Sequence, residues 1–375
     1  MPCKAAEASV EWVRDDARLT EVAAGWGRVI GLDTEFQRTD TFFPLPGLYQ
    51  VSSGTEVWFL DPLELGDLAP FLEILEDRRV TKILHACSED LELLRHHFGA
   101  VPVGLFDTQL ANAFVTPDYS VSFTRLLESR LGVALEQHET RSDWLARPLT
   151  EQQVRYAWED VYYLPPLFAD LHSELETKGR LSWFREEMDL RGRFAPSDPE
   201  TYYLSVKRAW RLDARGLARL QSLCAWRERQ AMAENRPRGR VVKDEVLTAL
   251  AEVPALAVED LQRLLPPGVA RRYGPALLEA HAEGSDRADR DRADHPAAVE
   301  QPLTGAQQEA VASLRAIATE RAEALGMATE LLGRKREVEA CVRHFVQHRE
   351  LPEAYTGWRR ELVGDAFLAR LERLK

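Results

Sequence analysis

A chain of 375 residues that is 45% hydrophobic and 29% charged has material for two or three packed domains and is not a disordered polymer. No uninterrupted apolar run nears the ~18 residues of a membrane span, and the opening Met1-Pro-Cys-Lys-Ala-Ala-Glu lacks the apolar core of a secretory signal, so a soluble cytoplasmic protein is expected. A net charge of −13 argues against a protein that coats nucleic acid generically, and the separated cysteines Cys3, Cys87, Cys224 and Cys341 suggest neither a metal pair nor a disulfide framework.

Residues 8–192 alternate strand-like and helix-like patterns and read as an α/β domain, with strands over 29–36, 48–52, 56–60 and 80–85 and helices over 68–76, 88–97 and 108–114. The first of these strands is a β-branched apolar run that ends in Asp33 and Glu35. Positions i and i+2 share a strand face about 6.6–7 Å apart, so both carboxylates can reach one cation or a pair of them. Asp90 follows Ser88 at the start of a helical pattern, where an acid also serves the helix dipole, so a stabilising role stays open for it. Asp107, directly before a periodic apolar run, reads as a helix cap and not as a fourth ligand. His85, closing an apolar strand, reads as a satisfied buried imidazole, and His138 falls in a loop-like segment. Tyr156 and Asp160 are four apart on an expected helix and project from one face. Carboxylates about 5 Å apart repel by roughly 3 kcal/mol at an effective dielectric near 20, so such a cluster makes sense with divalent ions, for which carboxylates are the preferred hard ligands.

Beyond residue 192 the pattern changes. Breakers at 192–200 mark a linker, 203–283 carries helical stripes such as Leu217, Leu220 and Leu223, 284–302 has little that can fill a core, and 303–375 is helical again. Between Lys207 and Lys243 the cations Arg208, Arg211, Arg215, Arg219, Arg227, Arg229, Arg236, Arg238 and Arg240 face only Asp213, Glu228 and Glu234, a local basic surface suited to phosphate.

The three acidic motifs, the phrase Arg141-Ser-Asp-Trp-Leu-Ala-Arg-Pro-Leu-Thr150, and Leu220-Gln-Ser-Leu-Cys-Ala-Trp-Arg-Glu-Arg229, Arg240-Val-Val-Lys-Asp-Glu245, Ala324-Leu-Gly-Met-Ala-Thr-Glu-Leu-Leu332 and Gly357-Trp-Arg-Arg-Glu-Leu362 together resemble bacterial ribonuclease D over nearly the whole chain. The resemblance implies a ribonuclease-H-like exonuclease domain, a mixed sheet flanked by helices, followed by two small all-helical units, at 203–283 and 303–375, of the helicase-and-RNase-D C-terminal kind. It further implies Asp33, Glu35, Asp90 and Asp160 as ligands of two divalent ions, Mg²⁺ or Mn²⁺, with Tyr156 orienting the water. The activity implied is a 3′→5′ exoribonuclease, monomeric, that trims structured RNA precursors, tRNA above all, and releases nucleoside 5′-monophosphates. A 3′→5′ DNA exonuclease shares the metal chemistry, and a catalytically silent RNA-binding scaffold is the reading from another class. Substrate contacts are expected from Phe36 and Arg38, with Phe42 and Phe43 in the same loop, from Arg141 and Trp144 ahead of the Tyr156 helix, and from Arg227, Arg229, Arg240 and Lys243. The chain departs from the family pattern at Asp40, where a basic residue is common, and at Trp158 and Glu159, which replace small residues.

Overall fold

The computed structural model describes residues 10–135, 142–192, 198–289 and 296–374. Two compact units emerge. One comprises Met1–Gln37, Pro46–Phe194 and Leu303–Lys375, the other Arg38–Leu45 and Ala195–Pro302.

The first unit is built on a six-stranded sheet with the order β1-β4-β3-β2-β5-β6, formed by β1 (Val10–Val13), β2 (Val29–Gln37), β3 (Leu45–Ser52), β4 (Val57–Leu60), β5 (Thr81–Leu84) and β6 (Leu105–Asp107). It is mixed: β1 with β4, β2 with β5 and β5 with β6 run parallel, while β3 and β4 are antiparallel. The strand that carries Asp33 and Glu35 is therefore central, which explains its near-continuous apolar run: Ile30 and Leu32 are fully buried. Strands β1 and β6 are too short to show a period in the sequence and were absent from the expectations; they are recruited by pairing with their neighbours.

Helices α1 (Asp16–Gly25), α2 (Ala69–Glu76), α3 (Ser88–Phe98), α4 (Thr108–Val115), α5 (Phe123–Leu131), α6 (Glu151–Tyr162), α7 (Leu164–Thr177) and α8 (Leu181–Gly192) complete the α/β part. Tyr49 packs on Phe71 of α2 and Phe98 of α3, at centroid distances of 5.5 Å each, so those helices cover one face of β3. Helix α6 begins at a capping box in which Thr150 accepts from the Gln153 N–H and the Gln153 side chain accepts from the Thr150 N–H. It lies close on β2 because position 31 is glycine: a Cβ there would sit 2.9 Å from the Val161 carbonyl oxygen and 3.1 Å from the Leu164 Cβ.

The C-terminal helices α14 (Gly305–Leu325), α15 (Glu330–Gly333), α16 (Lys335–His348), α17 (Gly357–Arg359) and α18 (Asp365–Leu371) belong to this same unit and share its core. Trp358 is 2% exposed and lies 5.1 Å from the Phe114 ring and 5.9 Å from Trp183. The Ala328 N–H donates to the Ala113 carbonyl at 2.8 Å, Arg180 donates to the carbonyls of Phe114 and Leu325, and Arg359 pairs with Glu187 at 2.8 Å. A second, separate helical unit was expected over 303–375; here its apolar stripes join the core of the α/β unit.

The second unit is all helical: two 3₁₀ turns, then α9 (Ala214–Ala233), α10 (Arg238–Val241), α11 (Asp244–Glu252), α12 (Val258–Leu264) and α13 (Pro267–Asp289). Helix α13 continues six residues beyond the expected end of the domain at 283. Its charged tail is held because Gly284 packs directly on α9, where a Cβ would come 2.6 Å from the Arg219 Cα. Phe42 belongs to this unit's core, with Tyr203, Leu217 and Leu220.

Candidate active site

The carboxylates predicted for one spot meet at the carboxyl-terminal part of β2. One oxygen each of Asp33, Glu35 and Asp160 lies within 4.8 Å of the other two. All three residues are half-buried. Asp90, from the first turn of α3, is 8% exposed and stands beside them; the Thr34 hydroxyl donates to its Oδ1 at 2.5 Å. The helix starts at Ser88 with Cys87 at its cap, and the Asp90 carboxylate takes both the Thr34 hydroxyl and its own first-turn N–H. The Tyr156 hydroxyl hydrogen-bonds Asp160, its neighbour one helical turn on.

The electrostatics follow from this crowding. Burial, then the charges of Asp90, Asp160 and Glu35, push the Asp33 carboxyl well above the usual range. Burial, then Asp160 and Asp90, do the same for Glu35. Burial also pushes Asp90 up to about 6, with the Thr34 hydrogen bond opposing it. Tyr156 is raised by burial and by the carboxylates around it, so its hydroxyl keeps its proton across the physiological range. A set of hard oxygen donors that resists ionisation when alone fits a divalent cation, whose charge removes the mutual repulsion.

This gives a sign for the pH dependence of the chelated protein. Between about 4, where free carboxylates titrate, and about 6, where Asp90 titrates, the folded state holds more protons than the unfolded one, so stability falls as pH rises. Thermal melts in EDTA across this window should show that fall, and excess Mg²⁺ should flatten it. A melting temperature that rises over the window would mean that native cations already balance the cluster.

Other expectations divide. The Asp107 carboxylate accepts from the backbone N–H groups of Ala86, Cys87, Gln109 and Leu110, at 2.9–3.2 Å, and caps α4 as read from sequence. It also holds the turn in which Ala86 takes a left-handed φ of 57° ahead of Asp90. His85 bonds Thr108 Oγ1 at 2.9 Å and the Val121 carbonyl at 3.2 Å, and burial lowers its pKa: a satisfied neutral imidazole. Trp158 stacks on Tyr162 at 4.4 Å and Glu159 pairs with Arg155 at 2.9 Å, so these two of the three departures from the family pattern are absorbed by packing and an ion pair.

Several substrate assignments require correction. Trp144 is 4% exposed, against the backbone of Gly47 and 6.2 Å from the Tyr156 ring, and therefore supports that tyrosine instead of stacking on a base. Arg227 is 1% exposed, bound to Glu228, Asp244 and the Val242 carbonyl, and is a structural cation. Arg229 pairs with Glu200 at 2.6 Å and Arg240 with Asp40, both at the surface. Phe42 is buried and its N–H and that of Phe43 donate to Asn235, which removes Phe42 from the stacking candidates. Phe36 is half-buried, Lys243 is exposed, and Arg38 is exposed with its guanidinium on the Phe42 carbonyl. Arg141 and His138 lie outside the described residues.

Sequence reasoning missed Thr34, because strict alternation places it on the face opposite its neighbours, and it missed Arg147. That guanidinium grips fully buried Asp61 through two bonds of 2.7 Å and donates to the Gly47 and Trp144 carbonyls, fixing the segment ahead of α6. An arginine directly before a proline in the conspicuous run 142–150 was the available signal.

Residues 10–176 match the 3′-5′ exonuclease family and residues 216–280 the HRDC domain. The chain is 42% identical to Ribonuclease D of Pseudomonas paraeruginosa over 370 residues, spanning 97% of this chain and 98% of that one. It is 35% identical to Ribonuclease D of Escherichia coli, over 90% and 91% of the two chains. The crystal structure of the Escherichia coli enzyme, described as an exoribonuclease involved in structured RNA processing, superposes with a TM-score of 0.87 at 33% identity over 97% of this chain and 99% of that one.

Proposed function

The chain belongs to the ribonuclease D family and is a 3′→5′ exoribonuclease; from that premise we propose that it hydrolyses phosphodiesters with two divalent ions held by Asp33, Glu35, Asp90 and Asp160. Its substrates are structured RNA precursors, tRNA chiefly, and it acts as a cytoplasmic monomer. The observation that carries this reading is the convergence of Asp33, Glu35 and Asp160 within 4.8 Å, with Asp90 beside them.

Mg²⁺ or Mn²⁺ at such a cluster supplies activation of the attacking water and charge neutralisation at the departing 3′ oxygen. The protein's own part is positional. Tyr156, protonated and bonded to Asp160, presents a hydroxyl that orients the water, and Trp144 behind it limits where the ring can go. Thr34 and Asp107 fix Asp90, one through its carboxylate and the other through the turn that delivers it. The half-buried Phe36 offers a ring face to a terminal base at the end of the same strand. In the helical unit, Lys207, Arg208 and Lys243 carry no ion pair among the described residues and are the proposed phosphate contacts.

Tyr156→Phe removes one hydroxyl and keeps the ring. Turnover is expected to fall by about 10- to 1,000-fold, the range for a positioned orienting group, with divalent-ion affinity by calorimetry almost unchanged. Loss of metal binding in that variant would place Tyr156 in the ligand shell.

The test of the function is incubation with matched RNA and DNA oligonucleotides, labelled at the 3′ or the 5′ end. The reading predicts immediate release of 3′ label as nucleoside 5′-monophosphate, a descending ladder from the 5′-labelled strand, and preference for RNA. Faster shortening of DNA would point to a DNA exonuclease.

A further inference from the structure

Away from the acidic cluster, the edge strand β6 and helices α7 and α8 enclose a cavity of about 580 Å³, within the range of small-molecule sites. None of the four cluster carboxylates lines it. Its floor is aromatic: Phe106 meets Phe168 at 4.8 Å and Phe184 at 4.6 Å, and the His172 ring lies 5.2 Å from Phe168. Its rim carries Arg78 and Arg185.

Those two guanidiniums differ from their sequence neighbours. Arg79, next to Arg78, is locked on Asp77 at 2.7 Å, and Arg191, on the same helix as Arg185, bonds Tyr119 and pairs with Glu187. Neither Arg78 nor Arg185 has an ion-pair partner among the described residues. Arg78 is nevertheless held in a defined turn, because the Lys82 ammonium donates to the Asp77 and Val80 carbonyls at 2.8 and 2.9 Å. The wall beside that turn is fixed at Gly104, whose φ of +65° favours glycine and where a Cβ would come 2.7 Å from the Val80 oxygen and 3.4 Å from the Arg78 oxygen. Asp189 is the only carboxylate among the lining residues. Two free planar cations over an apolar ring floor, in a protein of net charge −13, select a flat molecule that carries an anionic group.

We propose that this cavity is a second, non-catalytic site for a nucleoside 5′-monophosphate, with the base on the phenylalanine floor and the phosphate between Arg78 and Arg185. The choice of nucleotide rests on the exoribonuclease reading, since the reaction releases that molecule. Binding here needs no divalent ion.

Calorimetry on the full chain in EDTA, with AMP, adenosine and inorganic phosphate as separate titrants, tests this. AMP should bind saturably, and at least about 10-fold more tightly than adenosine or phosphate alone, as expected when a charge-assisted contact and ring burial act together. The Arg78→Glu, Arg185→Glu double variant should lose that binding by a similar factor while still hydrolysing a 3′-labelled RNA in Mg²⁺, which keeps failure of this site distinct from failure of the exoribonuclease reading. No saturable AMP binding in EDTA, equal affinity for AMP and either fragment, or unchanged affinity in the double variant would each overturn the proposal.

Discussion

Asp33→Asn is expected to lower turnover by at least about 1,000-fold, roughly 4 kcal/mol of transition-state stabilisation, while making the chelated protein more stable. The charges of all three other carboxylates raise Asp33, so it stands within the repulsion. The amide keeps the size and removes the charge. In the proposed ligand role of Asp33 its loss disables the chemistry, yet the metal-free fold is relieved of a like-charge conflict. Steady-state hydrolysis of a labelled RNA together with melts in EDTA checks both halves. Retained activity would remove Asp33 from the ligand set, and a destabilised variant would mean that its native hydrogen bonds outweigh the repulsion.

Trp358→Ala is expected to destabilise the chain by about 3–5 kcal/mol, the range for truncating a large buried aromatic side chain, and to do so in the cooperative transition that melts the catalytic sheet. The residue sits far along the chain in α17, but its ring fills the space between Phe114 and Trp183. Neighbouring backbone groups are committed to the same contact, through Ala328 to Ala113 and Arg180 to Leu325. A chain cut after residue 192 would therefore expose Phe114 and the inner face of α8, and would not leave a free-standing catalytic domain. Denaturant unfolding followed by far-ultraviolet circular dichroism measures the effect. A separate early transition confined to the C-terminal helices, with the main transition unmoved, would show that those helices fold and melt on their own.

The parts of the fold and site legible in the sequence are those where chemistry interrupts pattern. Asp33 and Glu35 break an apolar run that nothing but a buried strand explains, and Tyr156 with Asp160 carries helical spacing behind a Thr150 capping box. Asp107 was read correctly as a cap because capping is local. What stayed hidden depends on partners distant in the chain. Strands β1 and β6 exist through pairing, and Thr34 earns its role only when α3 delivers Asp90 to it. The basic stretch was overread for the same reason. Counting charges between 207 and 243 treats every arginine as solvated, whereas Arg219 and Arg227 are 6% and 1% exposed, Arg227 also pairing with Asp244, and Glu200, Asp40 and Asp289 pair with others from outside those limits. The unpaired positive charge of that unit is accordingly smaller than its composition implies.

The most direct measurement of the central claim is the rate of nucleoside monophosphate release from a 3′-labelled RNA as free Mg²⁺ or Mn²⁺ is titrated into EDTA-stripped protein. Cooperation between two ions at the Asp33, Glu35, Asp90 and Asp160 cluster predicts no release in the chelator and a rise steeper than first order in metal before saturation. Release that persists in excess EDTA would contradict it.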